Sequence, residues 1–187
     1  MRIISGSHRG RVLRPPQGLP VRPTTDMAKE SLFNILNNYV DFEEIRVLDL
    51  FAGTGNISLE FASRGAQSIV SLDISSKCIS YISSMAAELK FKNLSAIQAN
   101  VLTYIARPAG NYDVIFADPP YDMKDREKIP ALIFENNWLA DEGLFVMEHD
   151  KYLNFKENPF FSEERRYGKI HFTFFRKPSN EEKASED

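Results

Sequence analysis

Ile45-Arg46-Val47-Leu48-Asp49-Leu50-Phe51-Ala52-Gly53-Thr54-Gly55 is the stretch that decides the fold. Its first six residues read as a short buried strand. Gly53 and Gly55 permit a tight bend, and residues 56–64 continue as a helix. The same alternation repeats downstream. Residues 68–73 form a second strand, and Ser75 or Ser76 caps a helix with Ile79, Ile82, Ala86 and Leu89 on one face. Residues 95–100 are a third strand followed by a short helix, and residues 112–117 are a fourth. A helix over 126–137 leads to a fifth strand at 144–149, and residues 165–177, with the turn Tyr167-Gly168, read as a terminal antiparallel pair. Repeated βα units predict an α/β fold, a seven-stranded, mostly parallel sheet with helices on both faces.

Upstream the pattern differs. Residues 1–24 read as a basic arm containing a small β-hairpin, with Gly6 and Gly10 around its turn. Thr25 or Asp26 caps a helix starting near Met27, in which Ala28, Leu32, Ile35, Leu36 and Tyr39 recur at helical spacing. The main domain then spans 25–177, and the polar, acidic residues 178–187 are expected to be a disordered tail. The 187 residues, 43% hydrophobic, suit one domain with a sizeable core. No apolar run approaches the roughly 18 residues of a membrane span. The single cysteine, Cys78, and the lack of a signal-peptide pattern at Met1 point to the cytoplasm. Net charge is −3, yet residues 1–25 hold five arginines and no acid, so the remainder carries −8. A basic arm on an acidic body suits a phosphate-rich partner.

In doubly wound sheets, ligands bind beyond the carboxyl ends of the strands. Four strands here end in polar residues: Asp49, Asp73, Asn100 and Asp118. The glycine turn resembles a dinucleotide fingerprint, but Ser58 replaces its third glycine. A carboxylate at Asp49 would repel a pyrophosphate and suit a cationic amino-acid group. Asp73 lies 18 residues beyond Gly55, where a carboxylate takes both hydroxyls of a ribose. A nucleoside with an amino-acid tail and no phosphate is S-adenosylmethionine. A dinucleotide oxidoreductase is the rival reading of the same turn. Asp118-Pro119-Pro120-Tyr121 closes the fourth strand with an acid, a rigid ledge of carbonyls and an aromatic face, which suits a flat molecule bearing an amine. Cys78, Trp138, Phe160 and Phe161 read as packing residues, and His8, His149 and His171 have no metal-ligand spacing.

Val47–Gly55 together with Asp118-Pro119-Pro120-Tyr121 resembles the Rossmann-like class I S-adenosylmethionine methyltransferases that modify exocyclic amines. Arg2-Ile3-Ile4-Ser5-Gly6, Arg9-Gly10-Arg11, Arg22-Pro23-Thr24, Phe33-Asn34-Ile35-Leu36, Glu148-His149 and Tyr167-Gly168 narrow the resemblance to bacterial enzymes that methylate guanine N2 in 16S ribosomal RNA. The resemblance covers about residues 1–177. It implies a cofactor site at Asp49, Phe51, Ala52, Gly53, Gly55, Asn56, Asp73, Ile74, Asn100 and Val101. It implies catalytic roles for Asp118, Pro119, Pro120 and Tyr121, and phosphate contacts from Arg9, Arg11, Arg14 and Arg22. Its substrate would be 16S rRNA within the 30S subunit or an assembly intermediate, met by a monomer without a metal. Two positions depart from the pattern: Asn100 stands where an acid is common, and Met27 where a basic residue is expected. The alternatives are an adenine-N6 methyltransferase acting on DNA or RNA, and a non-catalytic RNA-binding ribosome assembly factor.

Overall fold

The computed structural model describes residues 1–16, 18, 25–108 and 110–178. Arg22 and all but Pro178 of the acidic tail lie outside the described residues. In chain order the elements are α1 (Asp26–Leu36), β1 (Arg46–Leu50), α2 (Asn56–Ser63), β2 (Ser68–Asp73), α3 (Ser76–Glu88), β3 (Leu94–Gln98), α4 (Val101–Ile105), β4 (Tyr112–Ala117), α5 (Ile129–Glu135), β5 (Leu139–His149), β6 (Phe161–Tyr167) and β7 (Ile170–Phe175). The seven strands form one sheet in the order β3-β2-β1-β4-β5-β7-β6. β1 pairs in parallel with both β2 and β4, β2 with β3, and β4 with β5, while β7 runs antiparallel between β5 and β6. Strand order therefore reverses between β1 and β4. Connections leave those two strands in opposite directions there, and a crevice opens above their carboxyl ends.

Side chains alternate across the sheet, so each strand feeds two cores. Val47, Val114, Phe116, Val146, Phe172 and Phe174 pack with Leu32, Phe33, Ile57, Phe61 and Ile82 from α1, α2 and α3. Leu48, Leu50, Ile115, Ala117, Phe145 and Met147 pack on the other face with Val101, Ile105, Ile129 and Ile133 from α4 and α5. Asp49 shares the parity of Val47, which aims it at α2.

The N-terminal segment is a hairpin bound along α2. The Ile3 N–H donates to the Arg11 carbonyl at 3.0 Å, the Gly10 N–H donates to the Ile3 carbonyl at 2.9 Å, and Arg2 bridges Val12. The turn docks on the carboxyl end of α2, where Ser7 N–H donates to the Ser63 carbonyl at 2.7 Å and His8 N–H to its hydroxyl at 3.0 Å. A side chain at Gly6 would place its Cβ 1.8 Å from that carbonyl oxygen, so the position requires glycine. Two buried charges complete the join. Glu60 on α2 accepts from the Ile4 and Ser5 N–H groups at 2.8 and 3.0 Å and from Arg64 at 2.9 Å. Lys29 on α1 donates to the Arg2 carbonyl at 2.6 Å and to Asn56 Oδ1 at 2.8 Å, and lies 3.5 Å from Glu60. Burial holds the Lys29 ammonium below its ordinary pKa, against the pull of Glu60.

Several boundaries differ from the sequence reading. The helix expected over 126–137 is a 3-10 turn at Arg126–Lys128 followed by α5, because Pro130 lacks the N–H that an interior helical turn would use. β3 stops at Gln98 rather than Asn100, whose side chain caps α4 by accepting from Thr103 N–H at 3.1 Å. β5 starts at Leu139, five residues before the apolar run that marked it, and pairs Leu139 with Tyr112 across a register shift. On α1, Lys29 is buried and Tyr39 lies beyond the helix, exposed. Apolar periodicity could not place a buried lysine, since its burial depends on acceptors from distant segments. Cys78 and Trp138 are buried, the latter donating its indole N–H to the Ile105 carbonyl at 2.9 Å. Phe160 stacks on Phe134 at 3.8 Å between centroids.

Candidate active site

A cavity of about 1070 Å³ fills the crevice above β1 and β4. That is just above the roughly 300–1,000 Å³ typical of small-molecule sites, enough for a nucleoside and part of a second ligand. Of the residues expected at a cofactor site, Asp49, Phe51, Ala52, Gly53, Asn56, Asp73, Ile74, Asn100 and Val101 all line it. Asp118, Pro119, Pro120 and Tyr121 line it too, from the loop after β4. Gly55 stands just behind, as the residue preceding α2. With φ 73°, it leaves room for Ile82, whose Cγ1 would lie 2.8 Å from any Cβ there. Arg9, Arg11 and Arg14 are exposed and do not line the cavity. Arg11 is paired with Glu88 on α3 at 2.7 Å.

The β1–α2 turn is wound through left-handed conformations at Phe51 (φ 62°), Gly53 (φ 55°) and Gly55. Phe51 carries a side chain in that region, which costs of order 1–3 kcal/mol. Neighbouring bonds hold it. The Ala52 N–H donates to the Leu72 carbonyl at 2.8 Å, and the Gly53 N–H to Asp73 Oδ2 at 2.8 Å. Asp73 Oδ1 accepts from Ser75 N–H at 2.8 Å. Both carboxylate oxygens are thus fixed by backbone, each keeping acceptor capacity for a ligand hydroxyl.

Asp49 does a second job that the motif did not reveal. Gly55 offers no side chain to cap α2, and Asp49 reaches from β1 to accept from the Ser58 N–H at 3.1 Å and from the Ser58 hydroxyl. Ser58 Oγ also lies 2.6 Å from Ser71 Oγ. The serine that breaks the dinucleotide fingerprint is therefore the partner that holds Asp49. Burial dominates its energetics: desolvation pushes the Asp49 carboxyl up to about 7, against the two bonds from Ser58. A buried carboxyl of this kind gains from a cation placed beside it.

Two groups outside the motifs support the aromatic wall. Asp150 accepts from Arg126 Nη2 with both oxygens at 3.1 Å, and its Oδ1 accepts from the Tyr152 N–H at 3.0 Å. The buried Arg126 guanidinium lies over the Tyr121 ring, 5.7 Å from its centroid. Beneath them, His149 Nδ1 is 2.7 Å from the Asp150 carbonyl, so that nitrogen bears the proton and Nε2 accepts from the Thr173 hydroxyl at 2.7 Å. Burial lowers the His149 pKa and keeps the ring neutral. No motif flags Arg126 or Asp150, which are 24 residues apart and meet only through the fold.

The donor set fits S-adenosylmethionine. A buried carboxyl poised to ionise suits a cationic ligand, a backbone-fixed carboxylate at the tip of β2 suits a diol, and among the described residues no Lys or Arg lines the turn side to meet a phosphate. Comparison with known proteins agrees. A family model described as "Conserved hypothetical protein 95" matches residues 1–176. Ribosomal RNA small subunit methyltransferase D of Buchnera aphidicola is 30% identical, over 96% of this chain and 93% of its own. The protein of the same name from Escherichia coli is 33% identical, over 80% of this chain and 75% of its own. The solved structure of Escherichia coli yhhF, designated a methyltransferase, superposes with a TM-score of 0.84 at 30% identity, covering 96% of this chain and 99% of that one. The cofactor that accompanies this fold and these relatives is S-adenosylmethionine. The chain belongs to the conserved hypothetical protein 95 family, the class I methyltransferases that include ribosomal RNA small subunit methyltransferase D.

Proposed function

We propose that this protein transfers a methyl group from S-adenosylmethionine to the exocyclic N2 amine of a guanine in 16S rRNA of the small ribosomal subunit, in the cytoplasm. One observation carries the chemistry. Asp118-Pro119-Pro120-Tyr121 and the carboxylates Asp49 and Asp73 open into a single cavity, from opposite sides of the strand-order reversal. The relatives' names support rRNA as the substrate, and the tetrapeptide supports a planar amine. Guanine over adenine rests on the N-terminal resemblance.

When bound, the cofactor supplies an electrophilic methyl on a sulfonium that is a good leaving group. The protein's share is positioning. Asp73 binds the ribose hydroxyls, and Asp49, in its ionised form, faces the cationic amino-acid part. Asn100, whose oxygen accepts from Thr103 N–H at the start of α4, offers its side-chain N–H group to the adenine edge. Asp118 and the Pro119 carbonyl accept the two amine hydrogens. That draws the nitrogen lone pair out of conjugation and stabilises the positive charge that develops as the N–C bond forms and the S–C bond breaks. The surplus proton then leaves through Asp118. Tyr121, 40% exposed and backed by Arg126, stacks on the base. A paired base cannot reach this pocket, so the target is flipped out or lies in a loop.

The test uses tritiated methyl transfer to 30S subunits from a strain lacking the modification, followed by nucleoside analysis. N2-methylguanosine is expected, and N6-methyladenosine would establish the adenine alternative instead. Asp118→Ala and Tyr121→Ala should each lower kcat by about 10²-fold or more while S-adenosylmethionine binding is kept. Near-normal turnover in either variant sinks the assignment.

A further inference from the structure

The cavity is lined beyond the motif loops. Its outer wall is built by Lys151 and Tyr152, after β5, and by Gly168 and Lys169, in the turn between β6 and β7. Tyr152 is 79% exposed, the most exposed of the large apolar side chains among the described residues. An aromatic ring held at a cavity mouth yet left in water has a face to offer. Its backbone is not loose, because the Tyr152 N–H is tied to Asp150 Oδ1 at 3.0 Å. The same carboxylate holds Arg126, which backs Tyr121. One part-buried ion pair therefore backs the Tyr121 ring and ties down the Tyr152 backbone, two aromatic residues lining the same cavity. Lys151 Nζ sits 5.2 Å from the Tyr152 centroid, and Lys169 stands on the neighbouring turn. Neither lysine joins an ion pair among the described residues, although the body of the protein is acidic and Arg2 and Arg11 of the arm are both paired. The arm's hairpin turn docks at Ser63, the end of α2 farther from the cavity, about 10 Å along the helix from Asn56.

From this arrangement we infer that Tyr152, with Lys151 and Lys169, is a second nucleotide subsite, which stacks the RNA base next to the target and holds its phosphates. The inference rests on the proposed RNA methylation. A strand entering the cavity to deliver one base must bend at its neighbours, and a second ring with two cations beside it meets both the unstacked base and the backbone. Single-stranded nucleic acid is gripped by this pairing of aromatic faces with positive charge.

The experiment measures binding and turnover separately. Binding of a fluorescein-labelled single-stranded RNA 12-mer is followed by anisotropy at several salt concentrations, and methyl transfer is followed with 30S subunits lacking the modification. Tyr152→Ala should weaken 12-mer binding and raise KM for subunits by about tenfold, with kcat and S-adenosylmethionine affinity unchanged, and Tyr152→Phe should restore both. The double variant Lys151→Gln, Lys169→Gln should lower the slope of log affinity against log salt by about 1.4, at about 0.7 for each lost phosphate contact on a single strand. Unchanged 12-mer affinity in Tyr152→Ala, or an unchanged salt slope in the lysine variant, overturns the subsite. A parent protein that binds the 12-mer through Tyr152 but methylates no subunit would instead count against the rRNA reading and leave the subsite standing.

Discussion

Replacing Asp49 by asparagine keeps the side chain's shape and its bond from the Ser58 N–H while removing the charge. In the free protein burial has raised this carboxyl to about 7. A cationic cofactor beside it favours the ionised form, so below pH 7 binding must expel a proton. The apparent affinity then carries the factor 1 + 10^(7 − pH), which is about elevenfold at pH 6 and about a hundredfold at pH 5. Calorimetric titration with S-adenosylmethionine from pH 5 to 8.5, in buffer pairs of different ionisation enthalpy, reads both quantities. Affinity should rise about tenfold per unit up to pH 7 and then level off. Proton release should approach one below pH 6 and vanish above pH 8. Asp49→Asn should show neither slope and should bind more weakly than the parent at pH 8. Stability runs the opposite way. A folded pKa above the unfolded 3.8 means that Asp49 contributes fully below that value, and the contribution is lost as pH rises through 7. Without cofactor, Asp49→Asn should therefore gain on the parent by up to about 1.4 kcal/mol per unit across that window. A flat affinity profile in the parent, or proton uptake on binding, refutes the reasoning.

Two further predictions concern the join between the N-terminal hairpin and α2. Lys29→Met leaves Glu60 with Arg64 and two N–H donors but removes the ammonium that donates to the Arg2 carbonyl and to Asn56 Oδ1. It should cost about 3 kcal/mol in urea unfolding. A loss below about 1 kcal/mol would mean that the buried lysine is dispensable. Gly6→Ala forces a Cβ into the Ser63 carbonyl and should expose residues 1–16 to proteolysis. Gly10→Ala, at φ 82° with nothing within 4 Å, should cost only about 1 kcal/mol of strain. Equal effects at the two glycines would show that the hairpin is not docked as described.

Much of this molecule is local in its chain. β1 and β4 are largely apolar runs, β2 and β3 mix apolar with polar residues, and each turn after them contains Gly, Ser, Asn or Pro, so the order of elements and the rim of polar residues at the strand ends follow from spacing. Two of the boundaries that shifted did so for side-chain reasons: Asn100 caps a helix by accepting from a backbone N–H, and Pro130, with no N–H to give, divides one. The motif residues were legible because a tight turn and a rigid loop each demand particular residue types within a few positions.

What the sequence by itself determined is therefore the βα repeat, the glycine turn, the acid at the tip of β2 and the Asp118–Tyr121 loop. The tertiary structure alone decided that Ser58 secures Asp49, that Lys29 and Glu60 are buried beneath the hairpin, and that Asp150 and Arg126 back the Tyr121 ring and tie down the Tyr152 backbone. The pairs Ser58–Asp49, Arg126–Asp150 and Ile4–Glu60 lie 9, 24 and 56 residues apart. Their charges are tolerable in the interior only because the fold brings acceptors and donors to them, and no periodicity along the chain encodes which distant group will arrive.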